Sequence, residues 1–374
     1  MKLKIGVTGQ QGFVGQHLYN TLGLFPEEFE RIPYERAFLS DERKLAEFAG
    51  NCDVIVHLAA MNRHNDPQVI YDTNVGLVKQ LITALEATQS KAHILFSSSS
   101  QEGGDNLYGK SKKEGRELLA DWAKRSGGSF SGMVIPNVFG SFGNPYYNSF
   151  IATFSHQLCH NEQPKIEVDG SVKLIYVDEL VKIIISQIRN REETHDLLTI
   201  PHTSEHKVSE VLALLESYKE QYLKSGIIPE LNSSFELNLF NTFRSYINQR
   251  NHFPVKFVKH TDPRGAFVEI IRLNVGGQVS FSTTVPGITR GNHYHTRKVE
   301  RFAVIKGKAL IQLRKIGTDE VLDFYLDGNE PAYVDMPIWY THNIKNIGEE
   351  ELYTNFWINE FYDPNDPDTY FENV

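Results

Sequence analysis

Cysteine is nearly absent from the chain, and its scarcity excludes two ways of stabilising a fold. The 374 residues include only Cys52 and Cys159, which are far apart and lack a Cys-x-x-Cys spacing. This pattern predicts neither a disulfide framework nor a thiolate zinc cluster. We therefore expect a reducing, cytoplasmic environment.

Positive charge is in short supply too. Lys and Arg number 38 against 47 Asp and Glu, which gives a formal net charge of −9 at pH 7. Proteins that bind nucleic acids through phosphates present clustered basic side chains, so we expect no nucleic acid among the partners. Any anionic ligand must instead meet positive charge that is concentrated locally.

Long apolar runs are missing as well. No uninterrupted stretch approaches the roughly 18 residues of a membrane span, and the chain opens on a strand-like segment without a leader peptide. We expect no membrane insertion. Hydrophobic residues make up 40% of the chain and charged residues 23%, as in ordinary globular proteins, and the length predicts two or three domains.

The first part of the chain alternates short β-rich runs with helix-length amphipathic segments. The runs KIGVTG, CDVIVHLAA and AHILFSSS are predicted strands, and the segments between them are predicted helices. This rhythm predicts βαβ units on a doubly wound parallel sheet, the Rossmann-type α/β architecture. We place the end of this domain near residue 245.

The character of the sequence changes after about residue 250. Helix-length segments nearly vanish, and short runs such as FVEIIRL, GQVSFSTTV and AYVDMP follow one another between Gly, Asp and Pro turns. This spacing predicts an all-β sandwich or barrel. The chain is therefore predicted to contain two domains, residues 1–245 and 246–374.

A glycine-rich turn between the first predicted strand and a helix favours a dinucleotide. Gly9, Gly12 and Gly15 allow a tight turn and close approach to a pyrophosphate, while the helix N-terminus offers free N–H groups. Near the end of the second predicted strand, Arg31 or Arg36 could pair with the 2′-phosphate of NADP. We favour Arg36, which lies beyond the expected strand end; the alternative is that both arginines are solvated. The expected cofactor is NADP(H).

A tyrosine and a lysine one helical turn apart predict a proton-transfer site. Tyr108 and Lys112 would share one helix face, where the ammonium and an oxidised nicotinamide would lower the phenol's pKa from about 10. The run Ser97–Ser100 lies at the carboxyl end of the strand HILF, where open α/β sheets bind ligands. One serine hydroxyl could hydrogen-bond the carbonyl oxygen that the tyrosine protonates.

A second group of polar residues lies in the β-rich part. His293 and His295 alternate on a predicted strand and would point to the same face, with Glu300 and His342 arriving from other strands. Three imidazoles and one carboxylate would suit Zn, Fe, Mn or Ni. The alternative is a metal-free cluster that uses these groups for packing and hydrogen bonds.

Residues 1 to about 240 resemble the extended short-chain dehydrogenase/reductase family, which acts largely on nucleotide sugars. Its motifs are matched by the three glycines, His57-Leu58-Ala59-Ala60, Asn74, the serine run, Tyr108 and Lys112, Pro136-Asn137-Val138-Phe139-Gly140 and Tyr176-Val177-Asp178-Glu179. The resemblance implies a catalytic set of Ser99, Tyr108 and Lys112. It also implies cofactor contacts from Gly9, Gly12, Phe13, Val14, Gly15, Arg36, Leu58, Ala59, Ala60, Asn74, Ser97, Lys112, Pro136, Asn137 and Val138. Only eight residues separate Ser99 from Tyr108, so we expect a trimmed loop over the sugar.

The β-rich part resembles the cupins, which fold as jelly rolls. G-x5-H-x-H-x4-E-x6-G from Gly287 to Gly307 matches the first cupin motif, and P-x4-H-x3-N from Pro337 to Asn346 matches most of the second. The resemblance implies that His293, His295, Glu300 and His342 bind a divalent metal, with Zn²⁺ as the first expectation. Trp339 stands where cupins usually have glycine, and we expect it to narrow the barrel mouth.

Residues 261–269 and 290–294 also resemble the sugar-nucleotide 3,5-epimerases of deoxyhexose pathways. There the histidine that matches His293 is a catalytic base, whereas here it belongs to the metal set, so the base stays unassigned. The resemblance makes Arg264 and Arg290 contacts for a diphosphate or a sugar oxygen. The alternative is that each is a surface ion-pair partner.

Together the two parts resemble the bifunctional CapF/WbjC-type enzymes of bacterial capsule and O-antigen synthesis. This implies a UDP-linked 4-keto-6-deoxy-N-acetylhexosamine, UDP-2-acetamido-2,6-dideoxy-4-hexulose, which is epimerised at C3 by the cupin and then reduced at C4 with NADPH. The product would be of the UDP-N-acetyl-L-talosamine type, toward UDP-N-acetyl-L-fucosamine, and the enzyme a homodimer. One alternative is a monofunctional UDP-4-keto-sugar reductase whose cupin serves dimerisation or substrate holding. Another is a non-catalytic sensor of NADP.

Overall fold

A computed structural model describes residues 2–191, 194–263 and 265–374 of the chain. The chain forms two compact units: Met1–Thr153 with Glu167–Val208, and Phe154–Ile166 with Ser209–Val374. Residues 209–252, which the sequence analysis placed in the first domain, therefore pack with the β-rich part. The boundaries 1–245 and 246–374 stay a prediction for the functional domains.

The first unit alternates strands and helices. They are β1 (Leu3–Thr8), α1 (Phe13–Leu22), β2 (Phe29–Ile32), α2 (Glu42–Gly50), β3 (Val54–His57), α3 (Pro67–Ala87), β4 (His93–Ser99), α4 (Leu107–Ser126), β5 (Ser129–Ile135), β6 (Asn137–Phe139), α5 (Phe150–Cys159, which ends in the second unit), β7 (Ser171–Tyr176), α6 (Val177–Arg189), β8 (His195–Thr199) and β9 (Ser204–Lys207). Six strands form a parallel sheet in the order β2-β1-β3-β4-β5-β8, which confirms the predicted doubly wound architecture. β6, β7 and β9 form a smaller sheet.

The strand order determines where this unit can hold a ligand. β1 lies between β2 and β3, so the chain leaves β1 toward one side of the sheet and then continues on the other. In open α/β sheets such a reversal leaves a crevice beyond the carboxyl ends of the strands. β3 is buried along its whole length, as expected for a strand covered by helices on both faces.

The second unit is dominated by antiparallel strands. Its elements are α7 (Val208–Tyr218), α8 (Ser234–Arg244), α9 (Gln249–His252), β10 (Val255–Lys256), β11 (Lys259–Asp262), β12 (Gly265–Val268), β13 (Gln278–Thr284), β14 (Thr289–Tyr294), β15 (Glu300–Lys306), β16 (Lys308–Lys315), β17 (Val321–Asp327), β18 (Ala332–Met336), β19 (Tyr340–Asn346), β20 (Leu352–Ile358) and β21 (Tyr370–Phe371). Two five-stranded sheets have the orders β10-β18-β15-β20-β13 and β17-β16-β19-β14-β21. The predicted cupin-like jelly roll is confirmed.

One predicted strand is shorter than expected. FVEIIRL was expected as a single run, but β12 ends at Val268. The backbone N–H of Ile228 instead donates to the Arg272 carbonyl, and Asn274 N–H donates to the Ile228 carbonyl. The end of the run is thus paired outside the hairpin that β11 and β12 form.

A buried ionic network fixes β15 against β18. Arg301 donates to both carboxylate oxygens of Asp335, at 2.7 and 3.0 Å, and Tyr222 donates to the same carboxylate. Burial raises the pKa of Asp335, but the adjacent guanidiniums and these hydrogen bonds outweigh it, so the pKa is lowered. Removing one partner of such a buried pair typically costs about 3–5 kcal/mol. Because Glu300 precedes Arg301 and pairs with Met336, the network also sets the position of Glu300.

The long helices belong to the first unit. α3 spans 21 residues and α4 spans 20. Neither these nor any other helix within residues 2–191, 194–263 and 265–374 combines enough length with enough apolar character to cross a bilayer.

Candidate functional site

A cavity of about 780 Å³ lies in the first unit, bordered by the segments that follow β1, β3 and β4. Every residue predicted to contact the cofactor lines it, except Asn74. All three residues of the predicted catalytic set, Ser99, Tyr108 and Lys112, also line it. The structure therefore brings the glycine turn and the proton-transfer residues to one space.

The glycine turn at this cavity depends on missing side chains. Gly9 has φ +75°, a left-handed conformation that favours glycine, and a Cβ there would lie 2.9 Å from the Ala59 nitrogen. A Cβ on Gly15 would lie 2.2 Å from the Gly9 carbonyl oxygen. Backbone thus packs on backbone, and the first N–H groups of α1 remain available for an anion.

Asn74 acts behind the cavity wall. Its side-chain oxygen accepts a hydrogen bond from Met61 N–H at 2.7 Å, and its amide donates to the Met61 carbonyl and to the Ser111 hydroxyl. Met61 itself lines the cavity. These hydrogen bonds position Met61 at the cavity wall, and the cofactor contact of Asn74 stays a prediction.

The two arginines near the end of β2 have different environments. Arg31 donates to the Tyr19 carbonyl at 3.0 Å and covers the Tyr19 ring, whereas Arg36 is exposed and lines the cavity. Arg36 is thus the arginine whose position suits the 2′-phosphate of NADP.

Ser99, Tyr108 and Lys112 come together through the short connection between β4 and α4. Ser99 is hydrogen-bonded to the Tyr108 hydroxyl, and the Lys112 nitrogen lies 5.9 Å from the centre of the Tyr108 ring. Lys112 donates to the Ser97 carbonyl at 2.9 Å. Asn106 accepts from Gly109 N–H and caps α4, so the helix begins directly before the tyrosine.

The pKa values at this site differ from the expectation. Burial raises the pKa of the Tyr108 phenol, and the hydrogen bond with Ser99 opposes this only in part. Lys112, whose ammonium donates to the Ser97 carbonyl, is not among the groups that shift this pKa, and the predicted lowering by Lys112 together with an oxidised nicotinamide stays a prediction. Burial lowers the pKa of Lys112 itself to about 8. Tyr108 is therefore a protonated phenol at neutral pH, ready to donate.

The second site gathers all four predicted metal ligands. One ligand atom from each of His293, His295, Glu300 and His342 lies within 4.8 Å of the others, and the last three residues are buried. The Nε2 atoms of His295 and His342 lie 3.2 and 3.3 Å from the same Glu300 oxygen. Strands β14, β15 and β19, with the residue after β14, supply the ligands.

The donor set fits a divalent cation. The buried Nε2 of His342 faces the Glu300 oxygen without the geometry of a hydrogen bond. Burial disfavours the Glu300 carboxylate, but the hydrogen bond from His295 and the charge of the two histidines outweigh it and lower its pKa. Burial lowers the pKa of His293 to about 4, which keeps this imidazole neutral and able to ligate. Three nitrogen donors and a carboxylate are the ligand types of zinc and related metals.

Asp368 supports this site, although it was not among the residues predicted from the sequence. Its backbone carbonyl accepts a hydrogen bond from His295 Nδ1 at 2.5 Å, which directs Nε2 toward Glu300. Its carboxylate accepts from the backbone N–H groups of Thr296, Arg297 and Lys298. Such partners orient a ligating histidine. The sequence feature that could have indicated this residue is the polar C-terminal tail. Its short strand β21 pairs with β14 and so brings the tail to the site.

Trp339 and the predicted substrate arginines complete the comparison with expectation. Trp339 has φ +60°, so it adopts the conformation that glycine would favour at this position. Its ring is buried and stacks on Tyr294, so it belongs to the packing instead of narrowing a barrel mouth. Arg290 is exposed on β14 and donates to the Thr283 carbonyl at 3.4 Å. Arg264 lies outside the described residues.

Comparison with known proteins supports both parts. Residues 5–198 match the NAD dependent epimerase/dehydratase family, and residues 260–370 match the polysaccharide biosynthesis C-terminal domain. The chain is 32% identical to the UDP-2-acetamido-2,6-beta-L-arabino-hexul-4-ose reductase of Pseudomonas aeruginosa, over 98% of each chain. It is 34% identical to the capsular polysaccharide assembling protein CapF of Staphylococcus aureus, with all of both chains covered and a TM-score of 0.63. RMD of P. aeruginosa, solved with NADPH, shares the fold at 20% identity over 59% of this chain and 83% of its own, with a TM-score of 0.53.

Proposed function

The chain belongs to the NAD dependent epimerase/dehydratase family, and from this premise we propose that it acts twice on one UDP-linked 4-keto sugar. The family and the P. aeruginosa relative make it an enzyme of nucleotide-sugar reduction or epimerisation in polysaccharide biosynthesis. The finer proposal is C3 epimerisation by residues 246–374, followed by NADPH-dependent C4 reduction by residues 1–245. The observation that carries it is the presence of two chemically different groups of site residues in one chain, a dinucleotide-type cavity and a cluster of metal-ligating side chains.

Carbonyl chemistry sets the order of the two steps. The C3 proton is acidic only while C4 is a ketone, because the carbonyl delocalises the resulting carbanion as an enolate. Epimerisation therefore comes first. A 4-keto sugar that has been reduced has lost this activation, so reduction ends the sequence.

In the reduction, Tyr108 donates its phenolic proton to the C4 oxygen. The Ser99 hydroxyl orients that oxygen, and the Lys112 ammonium, 5.9 Å from the centre of the Tyr108 ring, would stabilise the remaining phenolate together with the oxidised nicotinamide. NADPH, when bound, supplies the hydride to C4. The glycine turn would hold its pyrophosphate, and Arg36 would hold its 2′-phosphate.

In the epimerisation, His293, His295, Glu300 and His342 would hold a divalent metal, with Zn²⁺ as the proposed ion. Such an ion, when bound, supplies Lewis-acid stabilisation of negative charge on a carbonyl oxygen. Asp368 would keep His295 in the orientation that ligation requires. The proton acceptor is unassigned, and the substrate contacts of Arg264 and Arg290, the homodimer and the cytoplasmic location stay predictions.

Product analysis tests the proposal. UDP-2-acetamido-2,6-dideoxy-4-hexuloses are incubated with metal-loaded protein and NADPH, and the products are identified by mass spectrometry and NMR. We expect NADPH oxidation and a C4 alcohol with inverted C3, of the UDP-N-acetyl-L-talosamine type, toward UDP-N-acetyl-L-fucosamine. A C4 alcohol with unchanged C3 would favour the monofunctional reductase, and no NADPH oxidation with any of these sugars would reject both.

A further inference from the structure

The cavity of the first unit is electrically one-sided. Among the described residues that line it, the charged side chains are Arg36, Arg63 and Lys112, and no Asp or Glu is present. The chain as a whole carries a formal net charge of −9. Positive charge is therefore concentrated in this cavity, whereas the chain as a whole is negative, as expected for a site that attracts anionic ligands.

Arg36 and Arg63 also differ from the paired arginines of the same unit. Arg116 and Arg189 each form a salt bridge, with Glu102 and Glu28 respectively. Neither cavity arginine is paired with a carboxylate among residues 2–191, 194–263 and 265–374. Their charge is therefore available to a ligand.

The strand order separates the two arginines. Arg36 follows β2 and Arg63 follows β3, so they lie on opposite sides of β1 and its glycine turn. Arg63 is on the side of Tyr108. Its Nη1 donates to the carbonyls of Tyr146 and Tyr147, at 2.6 and 3.2 Å. Tyr147 in turn interacts electrostatically with the Tyr108 phenol and contributes to its raised pKa.

These bonds hold the guanidinium in place and leave part of it available. Only Nη1 of Arg63 donates to a described residue, so Nε and Nη2 can meet a ligand. A guanidinium that is already ordered loses less conformational entropy when it binds an anion. Asn62, the preceding residue, is anchored by its N–H donating to the Tyr147 hydroxyl at 3.2 Å.

We propose that Arg63 forms a second anion subsite of this cavity, which binds the diphosphate of the nucleotide sugar while Arg36 serves the dinucleotide. This inference rests on the proposed function, because it places the non-reacting end of the UDP-sugar on the Tyr108 side of the glycine turn. Arg63 would thus hold the substrate while Tyr108 meets the ketone at the other end of the sugar.

Calorimetric titration with UDP, uridine and NADPH tests the subsite. Arg63→Gln should weaken the UDP binding of the first unit roughly 10- to 100-fold, because charge-assisted hydrogen bonds to phosphate are lost, and should leave uridine binding, NADPH binding and any UDP binding by the second unit unchanged. Arg63→Lys should recover part of the UDP affinity. Arg36→Ala is the matched variant and should show the reverse pattern, with weakened NADPH binding and unchanged UDP binding.

The outcomes separate the two levels of inference. If the wild-type protein binds UDP and Arg63→Gln binds it equally well, the subsite is wrong while the proposed function stands. If Arg63→Gln weakens uridine as much as UDP, the residue only supports the 146–147 segment, and the subsite is again wrong. A wild-type protein that binds NADPH but no UDP overturns the proposed function together with the subsite.

Discussion

The two sites of this protein are built on opposite principles. The cavity of the first unit is bordered by turns at the carboxyl ends of parallel strands, and the described residues that line it include a few cations and no carboxylates. The cluster of the second unit consists of four side chains, three of them buried, that converge on one point. The first site offers a space for ligands and a few side chains that contact them, whereas the second already holds four metal-ligating side chains close together.

The two sites also differ in how burial affects the protonation of their titratable groups. In the first site, burial raises the pKa of Tyr108 and lowers that of Lys112, so burial acts against the charged form of both groups. In the second site, the histidines stabilise the Glu300 carboxylate against its burial. Desolvation therefore favours the neutral forms of Tyr108 and Lys112 in the first site, whereas in the second site the histidines keep Glu300 ionised despite its burial.

The largest expected effect separates the two sites by removing one hydroxyl group. Tyr108→Phe should lower the rate of C4 reduction by about 10²- to 10⁴-fold, because general acid catalysis is lost. Deuterium exchange at C3 should continue at the wild-type rate. Both are measured on the same keto sugar by mass spectrometry in heavy water.

The matched control for that variant is Tyr71→Phe, which removes a hydroxyl bonded to Glu114 away from the cavity and should keep both rates. Loss of C3 exchange in Tyr108→Phe would mean that one site performs both steps.

The second-largest expected effect is the loss of metal from the second site. His295→Ala should lose the bound metal while NADPH binding is retained, because the first unit does not contain this residue. Metal content is measured by elemental analysis, and NADPH binding by fluorescence titration. His260→Ala, an exposed histidine on β11, should keep the metal. A His295→Ala protein with unchanged metal content would show that these residues are not the ligands.

A smaller effect concerns the support of the second site. Asp368→Ala should weaken metal affinity by about 10- to 100-fold, since the segment after His295 loses the carboxylate that holds three of its N–H groups. Competition with a chelator measures this affinity. Asp363→Ala, in the exposed part of the same tail, should not change it. Equal effects of the two substitutions would reduce Asp368 to a general stabiliser of the tail.

The smallest effect is a pH dependence confined to reduction. The folded pKa of Lys112 is about 8, so its ammonium is present below pH 8 and is lost above it. Tyr108 stays protonated in this range because its pKa is raised above 10. We expect kcat/KM for reduction to fall by about tenfold per pH unit above pH 8. C3 exchange should lack this dependence, and a flat reduction profile from pH 7 to 9.5 would remove Lys112 from the mechanism.

The sequence indicated the residues that are linked by local spacing, but it did not indicate the supporting contacts between distant parts of the chain. Turn residues such as Gly9 and pairs such as Tyr108 and Lys112 act through spacing along the chain, so their arrangement could be inferred from local periodicity. Asp368 contacts His295 across 73 positions, and no local pattern announces such a pairing. Likewise, the group that accepts the Lys112 hydrogen bond is the Ser97 backbone carbonyl, which carries no sequence signal.

The fold was predictable for the same reason. Alternation of strands and helices predicted the parallel sheet, and short strands between turns predicted the jelly roll. Residues 209–252 pack with the second unit through contacts such as that of Tyr222 with Asp335. Both partners are buried polar residues, and their pairing follows only from the packed structure.

The most direct test of the division of labour is deuterium exchange without the reductant. Metal-loaded wild-type protein and a UDP-2-acetamido-2,6-dideoxy-4-hexulose are incubated in heavy water without NADPH, beside a sample with His295→Ala. We expect the wild-type protein to place one deuterium at C3 while the ketone persists, and we expect exchange with His295→Ala not to exceed the enzyme-free background. Exchange that requires NADPH, or that is equally fast in His295→Ala, would contradict this division of labour.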